Sequence, residues 1–249
     1  MASAIALSSN STALLQTDLT LQLSALRNTP SLSPRGVYVV PSTANPLLLD
    51  GVLFVGSSGP YAGAIFRFTL QWSSVKPIVC FDPRCVPAHP LVQAAAPHRL
   101  NLTPLLAESG EEGITTLPLI LGFVRSIFQP QYLRNELVKR PDWFTNYNVD
   151  VGSLLVKQYG QHAQSQAAGG IFDSLAKQSV RLSLSPAVLY GHGRGTAKGE
   201  GEAVKSNIVF PEELLSKGRK AAEEEQERER WMEQLKRDIF YGDEDGGGS

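Results

Sequence analysis

The sequence predicts an α+β fold: an N-terminal helix, a four-stranded antiparallel meander, further helices and an extended C-terminal helical arm. Three observations carry this. Leu15, Leu19, Leu23 and Leu26 recur at helical spacing within residues 14–26. Four short runs rich in β-formers then follow one another with only turn-length breaks between them. Beyond an irregular, proline-rich stretch, the apolar period returns to that of a helix.

Each element has a local cause. Residues 1–13 are expected as a flexible tail, and the helix over 14–26 stops at Pro30, Ser33, Pro34 and Gly36. The strands are expected at 36–41 (GVYVVP), 48–56 (LLDGVLFVG), 64–72 (AIFRFTLQW) and 77–81 (PIVCF), with breaks at 42–46, 57–63 and 73–76. In the third, Ile65, Arg67 and Thr69 alternate with Phe66, Phe68 and Leu70, the pattern of a strand with one buried face. Such short connections suit antiparallel neighbours, because parallel strands need long crossovers. Residues 82–113 are irregular. A helix over 114–128 follows, with Leu117, Leu121, Val124 and Phe128 along one stripe and Pro118 in its first turn. A shorter helical piece is expected at 131–139, and a weak helix at 149–168 interrupted by Gly152 and Gly160.

The segment GHGRGTAKGEGE, within 185–206, reads as linker. Its glycines lack the Lys-Ser/Thr pair opening a helix that a phosphate loop needs. Pro211, Glu212 and Glu213 then suit the first turn of a mixed-charge helix. Near its end Trp231, Met232, Leu235, Ile239 and Phe240 form an apolar stripe. That stripe either packs on its own domain or docks in a partner groove. The expected organisation is a tail over 1–13, a folded domain over 14–165, a linker over 166–210, the charged amphipathic helix over 211–241 and a polar tail over 242–249.

Composition narrows the function. A chain of 249 residues buries one good core with material left over. A net charge of -1 with 19% charged residues gives no broad pull toward nucleic acid. Two cysteines make no disulfide framework and point to a reducing compartment. No basic residue precedes Arg27, which argues against a secretory or mitochondrial signal. No apolar run approaches the ~20 residues that span a bilayer. A cytoplasmic protein without cofactor is expected. Cys80, Cys85 and His89 match no zinc spacing, so no metal is expected either.

Three motifs occur in order over about residues 14–130. Gly59-Pro60-Tyr61-Ala62-Gly63-Ala64-Ile65-Phe66 resembles the Gly-Pro-x-x-Pro/Tyr-x-Gly-Gly-x-Phe turn of the ubiquitin-conjugating (UBC) family. Lys76-Pro77-Ile78-Val79-Cys80-Phe81 resembles its Lys-Pro-Pro-x-Val-x-Phe run, and His89-Pro90 falls where its His-Pro-Asn falls. Within that family the chain is most similar to the Fused Toes / AKT-interacting protein group, through Gly36–Ser42, Gly51–Val55, Ile65–Thr69 and His89–Val92. The resemblance implies a UBC-like fold and an enzyme variant without the active cysteine. It also implies association with Hook-type coiled-coil adaptors that link vesicle cargo to dynein.

The resemblance locates the missing chemistry. The family's cysteine lies in an Ile-Cys-Leu-Asp-like run, matched here by Leu100-Asn101-Leu102-Thr103, which puts Asn101 at the nucleophile position. A neutral amide cannot form the thioester. The family's oxyanion-stabilising asparagine is Leu91 here, a loss that by itself costs ~10²–10³ in rate. No catalytic residue is therefore expected. Cys80 should turn to the outer face of the fourth strand. Cys85 reads as a small surface or loop residue and His89 as a structural histidine. The expected function is a non-catalytic adaptor, cytoplasmic or held on vesicles or microtubules by its partners, with Trp231, Met232, Leu235 and Ile239 as partner-binding residues. The alternatives are a ubiquitin-pathway cofactor, binding ubiquitin or an active conjugating enzyme, and an active enzyme using Cys85.

Overall fold

The computed structural model describes residues 2–73, 76–108, 116–160 and 170–190, with the side chains of 2–10, Glu108 and Tyr190 left aside. The chain divides into two units, Met1–Ile208 and Val209–Ser249. The second lies outside the described residues, and with it the expected helical arm over 211–241. The first unit has the expected α+β order: helix, four-stranded antiparallel sheet, then helices.

Helix α1 runs Ala2–Asn28, so the expected tail over 1–13 is corrected from Ala2 onward. No proline or glycine interrupts residues 1–28, and Ala and Leu are strong helix formers, so nothing ends the helix before Pro30. Pro30 pushes Thr29 out of helical backbone, to φ -124° and ψ 91°. The predicted leucine stripe is the packed face: Leu19 and Leu26 are buried, Leu15 and Leu23 half-buried.

Strands β1 (Val37–Pro41), β2 (Leu48–Phe54), β3 (Ile65–Gln71) and β4 (Ile78–Phe81) pair in sequence order as an antiparallel meander. Each falls inside its expected run. The register pairs Val37 with Leu53, Leu53 with Phe66, and Phe68 with Phe81, so one face collects the large apolar side chains. Gly51 sits opposite Phe68, and the Phe68 ring lies over it so closely that a Cβ would meet ring carbon at 2.3 Å.

The other face differs from the expectation of one buried side. Arg67 is 6% exposed, its cross-strand neighbour Val52 1% and Asp50 3%. Arg67 donates from its guanidinium to the carbonyl of Leu189, 2.8 Å away, in α6 (Pro186–Tyr190). That bond offsets part of the cost of taking a guanidinium out of water.

Helix α2 spans Thr103–Glu108, within the stretch expected to be irregular. Helix α3 spans Leu117–Ser126, with Pro118 at its start and Leu117, Leu121, Val124 and Phe128 buried as the stripe predicts. The Leu117 N–H donates to Gln22 of α1 at 2.6 Å, tying the helices together. The expected helical piece at 131–139 is a π-helical turn, Tyr132–Leu137, which buries Leu133 and Leu137. Helix α4, Val149–Tyr159, ends at Gly160 but continues through Gly152, which lets the Phe144 ring lie against the helix.

Helix α5, Ile171–Ser183, corrects the expected linker over 166–210 for residues 171–190. Phe172, Ala176, Ser179 and Ser183 form its buried face. That face is mostly small or hydroxylated, so hydropathy concealed it. Among the described residues, no helix is long and apolar enough to cross a membrane.

Candidate functional site

Tyr61, Phe66 and His89, singled out in sequence, converge in one aromatic cluster with Phe128. The turn ahead of β3 is built on Gly59 and Gly63, at φ +91° and +76°, a region that non-glycine residues rarely enter. Gly59 packs so closely on Pro130 that a Cβ would lie 2.6 Å from its ring. Pro60 is buried behind this turn. Tyr61 points inward and is fully buried, its ring 5.1 Å from Phe128, 5.8 Å from His89 and 6.3 Å from Phe66. Its hydroxyl donates to the carbonyl of Ala88 at 2.5 Å, joining the turn to the loop that carries His89-Pro90. Burial pushes the Tyr61 hydroxyl pKa well up, so it stays protonated and donating.

His89 is wholly enclosed. Its Nε2 lies 3.0 Å from the carbonyl of Ile127, and Nδ1 is 3.1 Å from the N–H of Leu91. A carbonyl only accepts and an N–H only donates, which places the proton on Nε2. Burial pushes the imidazole pKa down to about 4, with the Ile127 bond opposing. A neutral ring with both nitrogens engaged leaves no free site for a reacting group.

Leu91 and Asn101 lie side by side. The Asn101 N–H donates to the Leu91 carbonyl at 2.8 Å, and neighbouring Val92 and Leu100 form a β-bridge. Leu91 is fully buried and Asn101 is 3% exposed. Both polar atoms of the Asn101 side chain are used: Nδ2 donates to the carbonyl of Trp143 at 2.6 Å, and Oδ1 accepts from the N–H of Thr103 at 2.9 Å, where α2 begins. Asn101 therefore links the start of α2 to the 3-10 turn Pro141–Phe144. Pro77 and Pro90 are both buried, at the approach to β4 and just after His89.

Cys80 pairs with Thr69 on the outer face of β4 and is half-buried. Burial raises its thiol pKa and the Arg99 charge opposes the shift. Of the expected surface or loop residue, Cys85 is the loop residue but not the surface one: it ends the 3-10 turn Pro83–Cys85 and is 2% exposed. Asp82 caps that turn by accepting from the N–H of Arg84, and α5 packs against it, so the thiol faces inward. Burial and then the Asp82 charge push the Cys85 thiol up to about 11. At pH 7 about one such thiol in ten thousand is ionised, and the thiolate is the nucleophile.

Helix α5 contributes residues that sequence reasoning missed. Phe172 joins the cluster 6.2 Å from Tyr61. The Ser179 hydroxyl accepts from the N–H of Ala88 at 2.9 Å, and the Ser183 hydroxyl accepts from the N–H of Ile65 at 3.1 Å. Two main-chain donors of the motif region are thus satisfied from a helix about a hundred residues downstream. A legible signal existed: no proline or glycine interrupts 171–185, and Phe172, Ala176 and Ser183 repeat at helical spacing. Trp231, Met232, Leu235 and Ile239 lie outside the described residues.

No family model matches the chain. A curated relative, the protein crossbronx homolog of Culex quinquefasciatus, is 37% identical over 101 residues, which is 37% of this chain and 41% of that protein. The similarity thus spans about two fifths of the relative's length.

Proposed function

We propose that the chain is a non-catalytic, ubiquitin-conjugating-enzyme-like adaptor, a binding partner in a Hook-type, dynein-linked vesicle transport complex. One observation carries the non-catalytic part. At the two positions where the resemblance implies a nucleophile and an oxyanion donor stand Asn101 and Leu91, both buried, with the Asn101 amide spent on Trp143 and Thr103. Thioester transfer needs an accessible thiolate. Cys85 is enclosed and held protonated, and Cys80 lies on the opposite face of the sheet from the Tyr61–His89 cluster. Retention of the aromatic frame without the reacting groups supports a scaffold kept for its surface. The Hook association rests on the resemblance, and the partial similarity to the crossbronx homolog is compatible with it. A cytoplasmic location, on vesicles or microtubules through partners, belongs to the same proposal.

Affinity purification of the full chain from its native cell, read by mass spectrometry, tests the partner. Recovery of coiled-coil adaptors is the expected result. Recovery of ubiquitin or an active conjugating enzyme instead would make the chain a ubiquitin-pathway cofactor. Incubation with activating enzyme, ubiquitin and ATP tests the chemistry. A reducible ubiquitin adduct that disappears in Cys85→Ser would overturn the non-catalytic reading.

A further inference from the structure

A trough beside the ends of α1 and α3 brings three arginines together without a carboxylate among the described residues that line it. A cleft of about 750 Å³ is lined by Arg27, Ser31, Ser33, Arg35, Tyr38 and Arg125, among others. A second cleft of about 480 Å³ shares Arg35, Gly36 and Arg125 with the first and adds Ser58, Gln129 and Gln131. The two therefore adjoin at these residues. Arg27 and Arg125 stand in the last turns of α1 and α3, where a cation also complements the helix dipole. Arg35 has no such role. It precedes Gly36, held at φ +83° with no room for a Cβ beside the Phe54 carbonyl, so the backbone presenting Arg35 is fixed.

Elsewhere among the described residues, arginines facing carboxylates pair with them, as Arg84 does with Asp82 and Arg140 with Asp142. The three trough arginines take part in neither ion pair. Three like charges facing one solvent-filled cleft repel one another, and an anion bound between them relieves that repulsion. Guanidinium groups offer paired donors that match phosphate oxygens, and the serine, tyrosine and glutamine side chains add neutral donors. The volume falls within the range of small-molecule sites.

We propose that this trough binds a phosphate-bearing polyanion, of the class represented by a multiply phosphorylated cyclitol, either free or as a lipid headgroup. The proposal is independent of the adaptor reading. Two probes distinguish the sources: myo-inositol hexakisphosphate in solution, and phosphatidylcholine vesicles with or without phosphatidylinositol bisphosphate.

Calorimetric titration of the full chain should show binding of the soluble probe that weakens as salt rises. Arg35→Gln with Arg125→Gln should weaken it by at least about tenfold, the scale of losing charged hydrogen bonds. Arg134→Gln, at an exposed arginine over the Tyr159 ring outside the trough, should leave it unchanged. Sedimentation with phosphoinositide vesicles alone would identify the headgroup as the source. Soluble binding without vesicle binding would assign the free polyphosphate. Failure of both probes to bind, binding unaffected by the double substitution, or an equal loss in Arg134→Gln would overturn the proposal. Urea midpoints check folding. Should the double variant fail to fold, Arg35→Gln alone, in an exposed connection, carries the test.

Discussion

Acidification from pH 7 toward pH 4 should destabilise the protein through His89. The imidazole is fully buried with its pKa pushed down to about 4, against an ordinary value of 6.5. Between those values the unfolded chain binds the proton and the folded chain does not. Stability from this group is therefore complete above about 6.5 and is lost as pH falls toward 4. Two and a half units at 1.36 kcal/mol each correspond to about 3 kcal/mol. The structure supplies the cause. Protonating Nδ1 would set a second N–H against the Leu91 N–H, 3.1 Å away, and place a cation among Tyr61, Phe128 and the Ile127 carbonyl. Urea unfolding at half-unit pH steps measures the loss, and the chemical shift of the His89 ring measures the pKa. In His89→Gln the step between pH 6.5 and 4 should vanish, although its stability at pH 7 will be lower. An unchanged step in His89→Gln, or a ring titrating near 6.5 in the native protein, would refute the reasoning.

Three further outcomes are expected. Asn101→Ala should cost about 2–4 kcal/mol in urea unfolding, because the Trp143 carbonyl and the Thr103 N–H both lose a partner in a dry site. A loss under about 0.5 kcal/mol would show that the amide is not holding α2 to the Pro141–Phe144 turn. Ser179→Ala and Ser183→Ala should each cost about 1–2 kcal/mol, by orphaning the Ala88 and Ile65 N–H groups. Wild-type stability in both would mean that α5 is not anchored where the structure puts it. Under native conditions Cys85 should react with a thiol reagent far more slowly than half-exposed Cys80, and the two should converge in denaturant. Equal native rates, measured by mass spectrometry of the labelled peptides, would contradict the enclosed thiol.

Much of the fold was legible because its causes are local. The four strands lie inside their expected runs since proline, glycine and serine clusters set their ends and β-branched and aromatic residues fill them. The stripe Leu117, Leu121, Val124, Phe128 marked the packed face of α3 for the same reason. The errors have local causes too. Residues 2–13 lacked long apolar periodicity but also lacked any breaker, and the helix runs through them. Helix α5 buries Ala176, Ser179 and Ser183, residues that a hydropathy pattern assigns to solvent.

At the candidate site, sequence located the positions but not their state. That Asn101 and Leu91 are the positions of interest is what the resemblance of the surrounding motifs implies. That Asn101 is enclosed, that Cys85 faces inward and that Arg67 is covered follows only from what packs on them. Their partners are remote: 42 residues separate Asn101 from Trp143, and 122 separate Arg67 from Leu189. Apolar side chains carry their destination in their own chemistry, because leaving water is favourable wherever they are buried. A polar side chain can be buried only where particular donors and acceptors meet it. The strands, their order and the apolar stripes of α1 and α3 are thus written in local pattern. The tertiary structure decided which polar groups join the core, and which three arginines are left facing one trough.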